Sequence, residues 1–483
     1  MSQPLVRSSA SPQNLAPLFR AGTGEPLLAM MLASGGDERI ALTREGRNRY
    51  GAQPRPEEGH VWFSSSTASG ISPRGWAAAA EAMPFVLLAG ETEDWFANLR
   101  RRLLNLLAPP AAQVVFCASG TEAEYAALVL AQARAKQPGQ KLVNILVGPD
   151  ETGRGAPLAA AGRHFLNSAP FGEARAGFPL EGFDAVTLAT LHLRDAAGTP
   201  LPVEEIDSKA CALVRVARAR GAHTLIHLLD GSKTGLSAIS RACATKLMQE
   251  NPGEVTVVVD ACQLRCAPEQ IYADLEAGFL VMISGSKFLG GPAFSGALLV
   301  PEKFLADGAT IPWPDGLADH FALHDWPPLL RERIEGPFGA RCNAGLGLRW
   351  EAALAELEAF CALDPALIEA AKASFHAETR RQILALPRLE IDASAGDPTL
   401  IPIFMRGAEK GAAERVLRAL RLQGLHLGQT VSIGDREALR LCLSAPQIVD
   451  FAWRYAQVGS ETFAFAKLRG NLEKLFTAWD ALL

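Results

Sequence analysis

From residue 113 to residue 301 the chain alternates between short apolar runs, many of them β-branched, and longer amphipathic stretches. QVVFCA (113–118), KLVNILVG (141–148), FDAVTLATLHL (183–193), HTLIHLLD (223–230), EVTVVVDA (254–261), FLVMIS (279–284) and GALLVP (296–301) read as strands. GTEAEYAALVLAQARAK (120–136), VEEIDSKACALVRVARARG (203–221), a stretch near 237–250 and PEQIYADLEAG (268–278) read as helices between them, the first with acidic residues in its first turn, as the helix dipole favours. Apolar strands joined by helices need cover on both faces, and helical crossovers make neighbouring strands parallel. The pattern predicts an α/β fold with a mostly parallel, doubly wound sheet. FLVMIS and GALLVP lie about a dozen residues apart, too close for a crossover helix, so they are expected to be antiparallel or not adjacent.

The flanks differ in texture. Residues 1–60 are rich in Pro, Gly, Ser and Arg and read as an irregular arm with one short helix near 24–33. EDWFANLRRRLLNLLA (93–108) is an amphipathic helix stopped by Pro109-Pro110. Beyond 340 come a long helix (343–363), a helix near 366–386, a strand LIPIFMRG (400–407), a helix (412–424), a strand ALRLCLSA (438–445) and a last helix near 460–482. The expected organisation is an N-terminal arm (1–75) at the active-site entrance, a large cofactor-binding domain (76–340), and an interdomain helix with a smaller α+β domain (341–483).

Bulk properties exclude some partners. A net charge of −5 gives no electrostatic footprint for nucleic acid or an anionic membrane. Apolar runs such as LLAMMLA (27–33) are too short to span a bilayer, and the N-terminus does not read as a secretory signal. Eight scattered cysteines suit reduced thiols in a cytoplasmic protein. Cys262 and Cys266 form a C-x3-C pair with no further ligand close by, so no metal site is expected.

Ligands of open α/β sheets bind at the carboxyl ends of the strands. Four polar clusters fall at such ends: SGTEAE (119–124), DGSKTG (230–235), DACQ (260–263) and SGSK (284–287). Ser119, Gly120 and Thr121 open a helix, where free N–H groups and the dipole favour an anion; alone, ordinary capping explains them better. Asp260 ends an apolar strand and needs a cationic partner; alone, a helix cap is again the plainer reading. DGSKTG is not a nucleotide-binding loop, because Ser232 and His227 stand where that motif requires glycine. Lys287 is the only charged residue in ISGSKFLGGPAFSG (283–296). A lysine partly desolvated at a strand end becomes an amine nucleophile of the kind that forms Schiff bases; the plainer reading is a lysine snorkelling to water.

Together the clusters say more. A phosphate-cradling SGTE, then a strand-end Asp260, then Lys287 27 residues on, resembles the fold-type I pyridoxal-phosphate enzymes, and most of all the class V aminotransferase and cysteine desulfurase branch. ASGTEAE, VVVDACQ, SGSKFLGGPAFSGALLVP and LRLCLSAP carry the resemblance, over about residues 90–450. It implies that Lys287 holds pyridoxal 5'-phosphate and shuttles the proton at the substrate α-carbon. Asp260 would pair with the pyridinium nitrogen and Gln263 with the phenolic oxygen; Gly120, Thr121, Ser284 and Ser286 would bind the phosphate, with Ser232 nearby. Ser286 stands where many relatives have histidine. The ring-stacking position falls in GPDETG (148–153), which offers Glu151 or Thr152 in place of an aromatic residue. Arg440 in the small domain is the counterpart of the arginine that clamps the substrate α-carboxylate, a task that suits a planar guanidinium. Arg341 falls in a loop that in relatives reaches the partner subunit's phosphate, and a homodimer is implied.

No cysteine lies between Cys361 and Cys442, where a desulfurase would carry its nucleophile, which disfavours that chemistry. Transamination of an amino acid or related amine is the expected reaction. The alternatives are a lyase or decarboxylase on the same scaffold, or a non-catalytic binding or regulatory protein. In the arm, Arg39, Arg49 and Tyr50 are candidates to read a substrate side chain, against the plainer reading of a solvated loop.

Overall fold

The computed structural model describes residues 24–87, 92–135, 140–183, 186–305, 310–335, 341–394 and 396–483. In chain order the elements that place the site are α1 (Glu25–Leu32), β1 (Val61–Phe63), α2 (Pro73–Leu87), α3 (Thr92–Leu107), β2 (Gln113–Cys117), α4 (Ala123–Ala133), β3 (Leu142–Val147) and β4 (Val186–Leu191). There follow α5 (Val203–Ala219), β5 (His223–Leu229), α6 (Arg241–Glu250), β6 (Val255–Ala261), α7 (Pro268–Glu276), β7 (Leu280–Ser284) and β8 (Gly296–Val300). The last third holds α8 (Ala344–Cys361), α9 (Pro365–Leu384), β9 (Leu389–Ile391), β10 (Leu400–Met405), α10 (Ala412–Leu422), β11 (Leu425–Ile433), β12 (Arg436–Cys442), α11 (Ala445–Val458) and α12 (Glu461–Asp480).

The large sheet has seven strands in the order β2-β8-β7-β6-β5-β3-β4. Strand β8 runs antiparallel to both its neighbours, and the other pairings are parallel. The antiparallel step between residues 284 and 296 is thus present, with Gly296 opposite both Ser284 and Cys117. Successive residues of a strand face opposite sides of the sheet, so a run such as VTVVVDA feeds two cores. Val258, Met282 and Leu298 pack with α4 in one core. Val257, Val259, Val281 and Ile283 pack with α3, α5, α7 and α8 in the other.

The small sheet has the order β1-β11-β12-β10-β9. Its outer strand β1 comes from the segment read as an irregular arm and pairs parallel with β11, placing Ser64–Thr67 beside the carboxyl edge of the large sheet. Helix α2 and the hairpin strand β11 did not stand out in the sequence: Pro84 breaks the pattern of the first, and Gly428-Gln429-Thr430 that of the second. A register shift between Gly428 and Val431 marks a β-bulge, which re-aims residues 429–430.

Among the described residues no helix is long and apolar enough to cross a membrane. None of their acidic, histidine and cysteine side chains group as a metal site would require.

Candidate functional site

The level carboxyl ends of β2, β5, β6 and β7 put four loops side by side, and β1 and the β11 bulge close over them. Between them lies a cavity of about 280 Å³. Lys287, Asp260, Gln263, Ser284, Ser286, Gly120, Thr121, Ser232 and Arg440, far apart in sequence, all line it. Arg39, Arg49, Tyr50, Glu151 and Thr152 line it as well, whereas Arg341 is exposed and donates instead to the Phe171 carbonyl.

Lys287 sits half-buried in the turn after β7. The turn is fixed through backbone bonds: Gly285 N–H donates to Ser295 O, Gly290 N–H to Lys287 O and Gly291 N–H to Gly285 O. Ser284 and Ser286 share a hydroxyl–hydroxyl bond of 2.7 Å beneath it. Asp260 accepts the Cys262 N–H at 3.0 Å, which fixes its carboxylate at the strand end. Gln263 donates through Nε2 to Ser66 O, at 3.2 Å. Its Oε1 and the Ser66 hydroxyl are buried without a hydrogen-bond partner among the described residues. Two left-handed non-glycine residues flank this machinery, Leu264 (φ 52°) after Gln263 and Phe294 (φ 74°) after Lys287. Such backbone costs about 1–3 kcal/mol and collects at ligand sites.

The loop Ser119–Thr121 enters α4, which begins at Ala123 rather than at 120 as the sequence suggested. Glu122 takes the cap position and Glu124 stays in the first turn, and both are buried. Glu122 receives the Ser119 hydroxyl and lies 3.6 Å from Arg39; burial above all pushes its carboxyl up to about 7. Arg39 binds Asp37 through Nε and Nη2, donates to Ser119 Oγ at 3.3 Å, and lies over the Phe294 ring. Its guanidinium is thus committed to bracing the loop. The Glu124 carboxyl is held well above the usual range by burial and by the charge of Asp260. Behind it His227 donates to Asn144 Oδ1 at 3.1 Å and lies 3.4 Å from Glu124; burial pushes its imidazole down to about 4, leaving it neutral.

Two glycines make the loop possible. A Cβ on Gly296 would collide with the Ser119 backbone, and one on Gly120 would stand 2.5 Å from Cys262 Sγ. Gly120→Ala should therefore lower stability by about 1–3 kcal/mol. Adding Cys262→Ala should restore much of it. Thermal melts of the single and double variants check this, and a double variant no more stable than Gly120→Ala would rule out the contact as the cause.

On the opposite wall the Glu151 carboxylate receives Arg194 Nε at 2.7 Å, Ser232 Oγ at 2.9 Å and Thr234 Oγ1 at 2.6 Å. Ser232 is thereby a brace for Glu151. Arg440 is buried, and burial pushes its guanidinium down to about 10. It donates to Gln429 O at 2.8 Å, to Thr67 Oγ1 at 2.8 Å, and more weakly to Lys233 O and Ser66 O.

Glu124, Lys233, Ser66, Thr67 and the Gln429-Thr430 bulge also line the cavity without having been singled out from sequence. The bulge had a signal, a glycine and two polar residues interrupting a strand pattern. Ser66 and Thr67 had none, because their place depends on β1 crossing to the small sheet.

No family model and no curated protein matches the sequence. Solved structures do. Oryza sativa TDC with PLP and tryptamine is 15% identical, with a TM-score of 0.51 over 86% of this chain and 82% of that one. The chain has the fold-type I architecture. A cysteine desulfurase from Thermococcus onnurineus NA1 aligns with a TM-score of 0.54 at 15% identity, over 86% of this chain and 95% of that one. The glutamate decarboxylase domain of a Vibrio parahaemolyticus diaminobutyrate-pyruvate transaminase and L-2,4-diaminobutyrate decarboxylase gives 0.52 at 12% identity, over 87% and 80%. At these identities the likeness is one of fold.

Proposed function

We propose that the protein is a pyridoxal-phosphate-dependent enzyme acting on an amino acid or related amine, and that its reaction is amino-group transfer. One observation carries this reading: an amine with no hydrogen bond or ion pair among the described residues (Lys287), a strand-end carboxylate (Asp260) and an anion cradle meet in a single cavity. One structure that shares the fold was solved with PLP and tryptamine bound.

The residues fit the cofactor. Gly120, Thr121, Ser284 and Ser286 offer a neutral donor-rich cradle for phosphate. Asp260 offers a carboxylate for the ring nitrogen. Gln263 Oε1 and Ser66 Oγ are buried polar atoms that each cost about 1–3 kcal/mol until something meets them. When bound, pyridoxal phosphate supplies an electron sink for the bond broken at the substrate α-carbon. Lys287 Nζ would hold the group and could move the proton at that carbon. Asp260 keeps the ring nitrogen protonated. Gln263 has one Nε2 N–H left beside its bond to Ser66 O to donate to the phenolic oxygen, and Arg440 would orient the substrate carboxylate.

Decarboxylation is the second reading, supported by the decarboxylase domain that shares the fold. Desulfurase chemistry lacks a thiol: Cys262, the one cysteine lining the cavity among the described residues, is buried, and burial holds it well above the usual thiol range. Cofactor-loaded protein mixed with a panel of amino acids, with and without a 2-oxo acid, decides the matter. Transfer of the amino group that depends on the oxo acid is expected. Release of carbon dioxide without transfer would replace this reading with the second.

A further inference from the structure

Three cations gather on the cavity wall built by the loops after β3 and β5 and by strand β12: Arg154, Lys233 and Arg440. None forms an ion pair among the described residues, yet each lies close enough to feel the others' charge. Two carboxylates, Glu151 and Asp150, lie near enough to act on Lys233, and Glu151 also on Arg440, but both make their close contacts elsewhere. Glu151 is held by Arg194, Ser232 and Thr234, and Asp150 lies 2.7 Å from His192 Nδ1. Lys233 is partly buried, and its Nζ reaches only the Thr152 carbonyl, at 3.2 Å. Burial and Arg440 push the Lys233 amine down to about 8, which still leaves it mostly charged at neutral pH. A wall of like charges facing a cavity is stabilised by an anion in it.

One carboxylate does not account for the wall. A guanidinium has five N–H donors. Arg440 spends one on Gln429 O, one on Thr67 Oγ1 and, at longer range, two on Lys233 O and Ser66 O. That leaves it a single N–H for a substrate α-carboxylate, and leaves Lys233 and Arg154 without an anion of their own.

We infer that the substrate carries a second carboxylate, seated at Lys233 and Arg154, so that the substrate class is a dicarboxylic amino acid and its 2-oxo acid. The inference rests on the reading of the cavity as a pyridoxal-phosphate site.

Calorimetric titration tests it without turnover. Cofactor-loaded protein is titrated with succinate and glutarate and with the monocarboxylates of equal carbon number, butyrate and valerate. The dicarboxylates should bind at least ~10-fold tighter, the size of one part-buried charge-assisted contact. In Lys233→Met that advantage should fall to about twofold, with cofactor content unchanged; Arg154→Gln, at an exposed position, should lose a smaller share. Equal affinity for mono- and dicarboxylates, or an advantage that survives in both variants, would overturn the inference. Failure to take up pyridoxal phosphate, read from absorbance before the titration, counts against the cofactor reading alone. The same titration of the untreated protein then decides whether the wall selects two carboxylates.

Discussion

Lys287→Ala yields a folded protein that no longer retains pyridoxal phosphate covalently and whose turnover falls by about 10³-fold or more, at the upper end of what a positioned proton-transfer group supplies. The loss is chemical rather than structural. The Lys287 side chain makes no hydrogen bond or ion pair among the described residues, and the turn that carries it is held by backbone bonds from Gly285, Gly290 and Gly291. Stability should therefore stay within about 0.5 kcal/mol of the parent. Pyridoxal phosphate should still occupy the phosphate cradle of the loaded variant without a covalent bond, so that dialysis removes its near-visible absorbance from the variant but not from the parent. A variant that keeps both the absorbance and the turnover would assign the amine to another residue.

Asp260→Asn should leave the cofactor attached and the fold intact but cut turnover by about 10²–10³-fold, the scale of losing one preorganised charge contact at the reacting group. Asparagine retains the oxygen that accepts the Cys262 N–H, so the strand end keeps its geometry. What it loses is the negative charge that keeps the ring nitrogen protonated. Glu124 cannot stand in for it easily: its carboxyl is buried and held well above the usual range, in part by Asp260 itself. Steady-state rates, together with cofactor content from absorbance, separate this outcome from simple loss of cofactor. Unchanged turnover would remove Asp260 from the proposed role.

The large sheet was legible in the sequence because its strands are apolar on both faces and its crossovers are helices with clear stops. The loop between Ser284 and Gly296 was too short for a crossover helix, which left an antiparallel pair or non-neighbours, and the pair is antiparallel. Strand ends were legible for the same reason, so Asp260, Lys287 and the 119–121 loop could be placed at one edge before any geometry was known. Three features were not legible. Strand β1 joins a sheet whose other members lie more than 300 residues away. The Gln429-Thr430 bulge looked like a broken pattern rather than a shaped one. Glu122 and Glu124 read as acids at the start of the helix, and nothing local reveals that they are buried where α4 packs into a core. Each depends on tertiary contacts that no short window of sequence contains.

We propose that Lys287, rather than any other amine, carries the cofactor. Lys233 is its nearest competitor: it lines the same cavity, and burial and Arg440 push its amine down to about 8. Reduction of the loaded protein with borohydride, followed by peptide mass mapping, separates them directly. One phosphopyridoxyl group is expected, on the peptide containing Lys287 and absent from the peptide containing Lys233. A modified Lys233 with Lys287 untouched, or a reduced protein bearing no such group, would contradict it.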